Sequence, residues 1–168
     1  MSITSETKKE IIEIGKDQMI LSAIKDDKFY EANEKLEEKL ENFQTFWNER
    51  LQKLFPKLKN FNNLQSIEVS YLSYRHQIND ILFSSFVKIS KLKQTYDAIH
   101  AKMMNSEQLN KKYKLQKDKR IFVDQKLSGL KRRIEILEDF AKYCQSIIDT
   151  IDKLSFSVKN RITFESMK

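Results

Sequence analysis

Turn-forming residues are scarce in this chain: two glycines and one proline serve 168 residues. Average usage would supply roughly a dozen glycines and about eight prolines. Sandwiches, barrels and doubly wound sheets need a turn about every 8–12 residues, and turns draw on Gly and Pro for their special φ values. Such folds are excluded. A phosphate-cradling glycine loop is excluded too, because Gly15 and Gly129 stand alone. The fold class that remains is all-α: long antiparallel helices forming a helical hairpin or coiled-coil bundle.

Hydrophobic periodicity places those helices. From Ser5 to Asp27, residues Ile11, Ile14, Met19, Ile20, Leu21 and Ile24 predict a short amphipathic helix with Ser5 as N-cap. From Asp27 to Phe55, residues Leu36, Leu40, Phe43, Trp47, Leu51 and Leu54 step by three and four between charged neighbours. Pro56 stops that helix, since its ring clashes with the preceding turn. Pro56 to Ser66, with Asn60, Asn62 and Asn63, reads as a linker. A third helix starts near Ser66 and runs to about Met104, roughly 38 residues or 57 Å at the helical rise. Its buried stripe is Tyr71, Tyr74, Ile78, Leu82, Ile89, Leu92, Tyr96, Ile99 and Met103. Asn105 to Asn110 breaks the pattern, and Ile121-Phe122-Val123 is ambiguous between a strand and a helix start.

The last helix has the strictest repeat. Leu127, Leu130, Ile134, Leu137, Ala141, Cys144, Ile148, Ile151, Ser155, Val158 and Ile162 alternate steps of three and four without a slip. A sustained 3.5-residue repeat imposes left-handed supercoiling against a partner helix. An exposed seam of this length predicts homo-oligomerisation through Leu127, Leu130, Ile134, Leu137, Ile148, Ile151, Phe156, Val158, Ile162 and Phe164.

Charge is unevenly spread. Residues 1–50 hold eight Lys/Arg against twelve Asp/Glu, a net of −4, and residues 51–168 hold 23 against 12, a net of +11. This suggests an acidic N-terminal helical segment, 1–56, ahead of a basic region, 57–168, within what the length suggests is one domain overall. Within 111–133 ten cations face only Asp118 and Asp124. So dense a patch points to a polyanion partner, with a solvated, salt-bridged helix face as the plain alternative. Mean hydropathy is −0.61 and no apolar run reaches the ~18–20 residues of a membrane span, so no membrane partner is expected. The polar start, without a signal peptide, and the single Cys144 predict a cytoplasmic protein.

Residues for chemistry are few. His76 and His100 are the only histidines, too few with one cysteine for a zinc site, so no metal and no cofactor are expected. His76 and Asp80 suit a helix-face contact, and Cys144 sits on the heptad seam as a small buried thiol. Glu135, Glu138 and Asp139 among Lys131, Arg132, Arg133 and Lys142 read as salt-bridge decoration. No catalytic residue can be assigned, and an enzyme is not expected.

Aromatic residues interleave with cations in two places: Lys88, Lys91 and Lys93 near Phe83, Phe86 and Tyr96, and Tyr113 with its lysine neighbours and Phe122. Rings that stack on bases beside cations that track phosphates are how sequence-neutral single-strand binders work. Phe83, Phe86 and Tyr96 read better as core, and Tyr113 as a stacking residue. The candidate nucleic-acid contacts are Lys88, Lys91, Lys93, Lys111, Lys112, Tyr113, Lys114, Lys117, Lys119 and Arg120.

At the C-terminus, Ser155-Phe156-Ser157-Val158-Lys159-Asn160-Arg161-Ile162-Thr163-Phe164 resembles the terminal signature of the UvsY family, the recombination mediators of tailed phages. Leu137-Glu138-Asp139-Phe140 and Ile148-Asp149-Thr150-Ile151 resemble the helix that precedes it. Leu92-Lys93-Gln94-Thr95-Tyr96-Asp97 is similar to the family's DNA-binding segment, with Thr95 where that segment has arginine. The resemblance implies a non-enzymatic, homo-oligomeric factor in the cytoplasm of an infected host cell. It implies binding to single-stranded DNA and help in loading a RecA-like recombinase onto DNA coated by a single-strand-binding protein. The alternative is a coiled-coil scaffold whose basic residues meet an acidic protein partner.

Overall fold

The computed structural model describes residues 28–167, and among them there is helix and turn but no strand. The helix expected over Ser5–Asp27 lies outside the described residues. The long helices are α1 (Lys28–Gln52), α2 (Leu64–Met104) and α5 (Ser128–Ser166), with the shorter α3 (Glu107–Lys112) and α4 (Gln116–Lys126) between the last two. The all-α class follows from the chain's scarcity of breakers, which lets an amphipathic pattern run for 41 residues in α2 and 39 in α5.

The linker is ordered into two 3₁₀ turns, Phe55–Lys59 and Phe61–Asn63. Pro56 sits in the first turn of the first one, where a missing N–H costs nothing. Asn60 folds the chain again by accepting at Oδ1 from the Asn62 N–H at 3.0 Å. The ambiguous Ile121-Phe122-Val123 is helical, inside α4. Helices α4 and α5 are separated only at Leu127, whose φ −96° and ψ 3° leave the helical region.

The residues group into two compact units that are not contiguous in sequence. One takes the described residues up to Leu36 with Ser90–Glu135; the other takes Glu37–Ile89 with Ile136–Lys168. The charge boundary near residue 50 and this grouping are different cuts of the chain.

The second unit is a three-helix arrangement of α1, α2 and α5. Arg75 meets Asp152 at 2.7 Å and Glu68 meets Lys159 at 3.5 Å, so α2 and α5 run antiparallel. Trp47 on α1 stands edge-on to Tyr74 on α2, with ring centroids 5.5 Å apart. Phe43 meets Phe140 at 5.0 Å, and the Tyr143 hydroxyl donates to the Gln44 carbonyl at 3.3 Å. Helix α5 therefore needs two apolar stripes here. The heptad row is one; Ile136, Phe140 and Ile147, all buried, are the other. A face this wide belongs to a bundle helix, whereas an a/d row alone suits a two-stranded seam.

This corrects the expectation of an exposed seam. Leu127, Leu130, Ile134, Leu137, Ile148, Ile151 and Val158 are buried within the chain itself, and Ile162 is half-buried. Only Phe156 and Phe164 of that group are exposed. Phe83 and Phe86 depart in the opposite sense: they were read as core and are exposed. The buried stripe of α2 passes beside them, through Leu82, Ser85 and Ile89.

The residues that carry the family resemblance have work inside this unit. Ser155 and Val158 are buried, Lys159 pairs with Glu68, and Arg161 donates from Nη1 to the Leu58 carbonyl at 2.6 Å. That last bond ties the end of α5 to the first 3₁₀ turn.

Candidate nucleic-acid interface

The other unit holds the basic surface. Its core is Ile99 of α2, Val123 of α4 and Leu127 and Leu130 at the α4–α5 junction, with Leu92, Tyr96, Met103, Leu109 and Phe122 packed around them. Asn33 on α1 donates from Nδ2 to the Gly129 carbonyl at 2.9 Å. Burial of one stripe of α4 leaves Lys117, Arg120 and Lys126 to point outward.

The charge is concentrated here. Residues 90–135 contain thirteen Lys/Arg against five Asp/Glu; with residues 1–36 the whole unit holds nineteen against thirteen, while the unit of residues 37–89 and 136–168 contains twelve against eleven. Lys111 and Lys112 end α3, Lys114 follows it, and Lys117 and Arg120 lie on α4; all are exposed. Lys91 and Lys93, also exposed, belong to the same unit through α2. Lys88 is exposed but belongs to the other unit.

Lys119 must be withdrawn from the set of phosphate contacts. It is 0% exposed, and its Nζ donates to the Met104 carbonyl and to Asn110 Oδ1. The reason is helical phase. Lys119 lies four residues before Val123, which is also 0% exposed, so it shares the inward face of α4.

Tyr113 is half-buried against Phe122, with centroids 5.3 Å apart and planes at 32°. Lys112 Nζ stands 5.5 Å from the Tyr113 ring and 5.6 Å from the Phe122 ring, and Lys126 Nζ is 5.9 Å from Phe122. The two rings and two ammonium groups make one aromatic–cationic cluster. The sequence already groups Tyr113 and Phe122 with neighbouring lysines; the fold brings the two rings into contact.

The same unit carries a feature that the sequence did not reveal. An open groove of about 550 Å³ is lined by Tyr96, Arg120, Asp124, Gln125, Ser128, Lys131, Arg132 and Glu135. Asp124 meets His100 Nε2 at 3.4 Å and Arg120 Nε at 3.8 Å, and Tyr96 stacks on His100 at 5.9 Å. Burial pushes the Tyr96 phenol above its usual range, with Asp124 and Asp97 adding to the effect and Arg120 opposing it. The density of Lys131, Arg132 and Arg133 in the sequence was the available signal for this groove; its association with Tyr96 needs the fold.

Such a surface can bind a polyanion through many weak phosphate contacts and offer aromatic edges to bases. Among the described residues no group of three or more His, Cys, Asp or Glu could hold a metal ion. No described helix is long and apolar enough to cross a membrane. In comparisons with known proteins, the chain matches no family model, no curated protein and no solved structure.

Proposed function

We propose that this chain is a non-enzymatic factor that binds single-stranded DNA through the unit containing residues 90–135. Its role would be that of a recombination mediator, which delivers the strand to a RecA-like recombinase on DNA coated by a single-strand-binding protein. The single observation behind strand binding is the excess of exposed cations in residues 90–135, two of which, Lys112 and Lys126, stand over the Tyr113–Phe122 rings. The mediator role rests on the resemblance of Ser155–Phe164 to the UvsY signature. Phosphate affinity without base readout is what such a role requires, and lysine-rich helices supply it.

Titration of fluorescent single- and double-stranded oligonucleotides at rising salt tests the strand-binding reading. Affinity for single strands is expected to fall linearly on a log–log plot. Replacing Lys111, Lys112 and Lys114 together with Gln is expected to lower the slope by about 2, at ~0.7 per lost single-strand contact. No affinity at low salt, or affinity indifferent to salt, overturns it.

A coiled-coil scaffold is the second reading, favoured by exposed Phe83, Phe86 and Phe156 on the unit of nearly balanced charge. Charge reversal at Lys111, Lys112 and Lys114 separates the two. Loss of assembly with unchanged strand binding supports the scaffold.

A further inference from the structure

A second row of residues runs along α2, on a face that the bundle does not bury. Val69, Leu72, Phe83 and Phe86 are 67%, 44%, 69% and 53% exposed. His76 and Asn79, also exposed, continue the row between them. The six positions advance by three, four, three, four and three residues, which is one heptad stripe. It lies about a third of a turn around the helix from the buried row that includes Tyr71, Ile78 and Leu82.

Two properties of this stripe identify its occupant. Its spacing is the same read from either end, and so is its chemistry: two apolar residues, two polar residues, two apolar residues. Exposed polar residues, Gln65 and Ser90, close it at both ends, each four residues away. A second α2 laid antiparallel would set Val69 against Phe86, Leu72 against Phe83 and His76 against Asn79. Each apolar layer then joins a ring to a smaller aliphatic side chain, and the polar layer falls at the centre. An isologous two-fold interface demands this self-complementarity, while a face shaped for a different protein has no reason to show it. The unit that bears the stripe holds twelve Lys/Arg and eleven Asp/Glu, so net charge does not oppose pairing of two copies.

We propose that two copies of this chain associate through the Val69–Phe86 row of α2, antiparallel about a two-fold axis. The interaction does not depend on nucleic acid, so it stands or falls separately from strand binding. The row is about 26 Å long, a shorter seam than a standard interface, and a reversible dimer is therefore expected. The His76–Asn79 layer sets the register, as polar residues within heptad seams do.

Equilibrium sedimentation of the full chain without oligonucleotide, from low micromolar to submillimolar concentration, is the first measurement. The mass is expected to rise from 20.1 kDa toward twice that value. A Phe83→Glu variant should keep the helical circular dichroism of the parent and remain at the monomer mass. Disulfide trapping then reads the register independently of that variant. Copies carrying Leu72→Cys mixed with copies carrying Phe83→Cys should crosslink, and copies carrying Phe83→Cys alone should not. A monomer at every concentration overturns the proposal, as it would if the row served a different protein. Undiminished association of a folded Phe83→Glu variant overturns it as well. So does crosslinking between two Phe83→Cys copies, which requires a parallel pair.

Discussion

Lys119 on α4 donates its ammonium protons to the carbonyl oxygen of Met104, the final residue of α2. The last carbonyls of a helix lack intrahelical partners and form the negative end of its dipole, which favours a cation there. Asn110 accepts from the same ammonium, so one side chain ties together the end of α2, the start of α4 and the α3 segment between them. This is why a lysine is found at 0% exposure beside the most basic stretch of the chain.

Replacing Lys119 with Met keeps the bulk and removes the two hydrogen bonds. Stability is expected to fall by roughly 1–3 kcal/mol, the usual loss for bonds to a charged group, measured by urea unfolding. The same variant should leave the salt slope of single-strand binding unchanged. Lys112→Gln should behave in the opposite way, lowering the slope by about 0.7 with little effect on stability.

Cys144 is 0% exposed, and burial pushes its thiol from 9.0 up to about 11. Burial also raises Tyr71 and Tyr143 above their ordinary 10.0. In the unfolded chain these groups ionise at lower pH than in the folded one, so above pH 9 the unfolded state binds fewer protons. Stability from this source is complete below pH 9 and is lost as pH rises toward about 11. Urea midpoints should decline across that window, and Cys144→Ala should flatten part of the decline at a cost in absolute stability. Thiol reagents at neutral pH should label Cys144 only in denaturant.

The Tyr71 hydroxyl is buried without a hydrogen-bond partner, although the ring is among the best packed in its unit. A desolvated hydroxyl with no partner opposes folding, while the ring favours it. Tyr71→Phe is expected to be neutral or to stabilise by up to about 1 kcal/mol in thermal or urea unfolding. A large destabilisation would mean that the hydroxyl has a partner after all.

The inward face of each long helix was legible from spacing alone. Every residue of the Leu127–Val158 heptad row is buried, because a 3.5-residue apolar repeat admits no other phase that hides it. What covers that row was not legible. The sequence reading assigned it to another copy, whereas α1 and α2 of the same chain supply the cover, through contacts 77 to 99 residues apart such as Arg75–Asp152 and Tyr143–Gln44. Local periodicity reports that a stripe must be buried and says nothing about the partner. The outer row of α2 escaped the same reading, since His76 and Asn79 interrupt its apolar pattern where Val69, Leu72, Phe83 and Phe86 are exposed.

The basic region shows a similar division. Its density of cations is a property of composition, and so was visible at once. Which cations face solvent depends on helical phase: Lys117 and Arg120 point outward while Lys119, between them in sequence, is enclosed. The groove that joins Tyr96 to Arg120, Lys131 and Arg132 draws on three helices, and no spacing along one helix records that.

Two glycines and one proline in 168 residues were enough to determine that this chain forms long helices, because sheets and turns have no substitute for such residues at this frequency. Only the tertiary structure decided how those helices cover one another. It turned an apparent assembly seam into the chain's own core and gathered the basic stretch into a different unit from the nearly balanced one. The physical reason is that burial is satisfied by whichever apolar surface lies nearest in space, and that surface is set by chain-distant contacts.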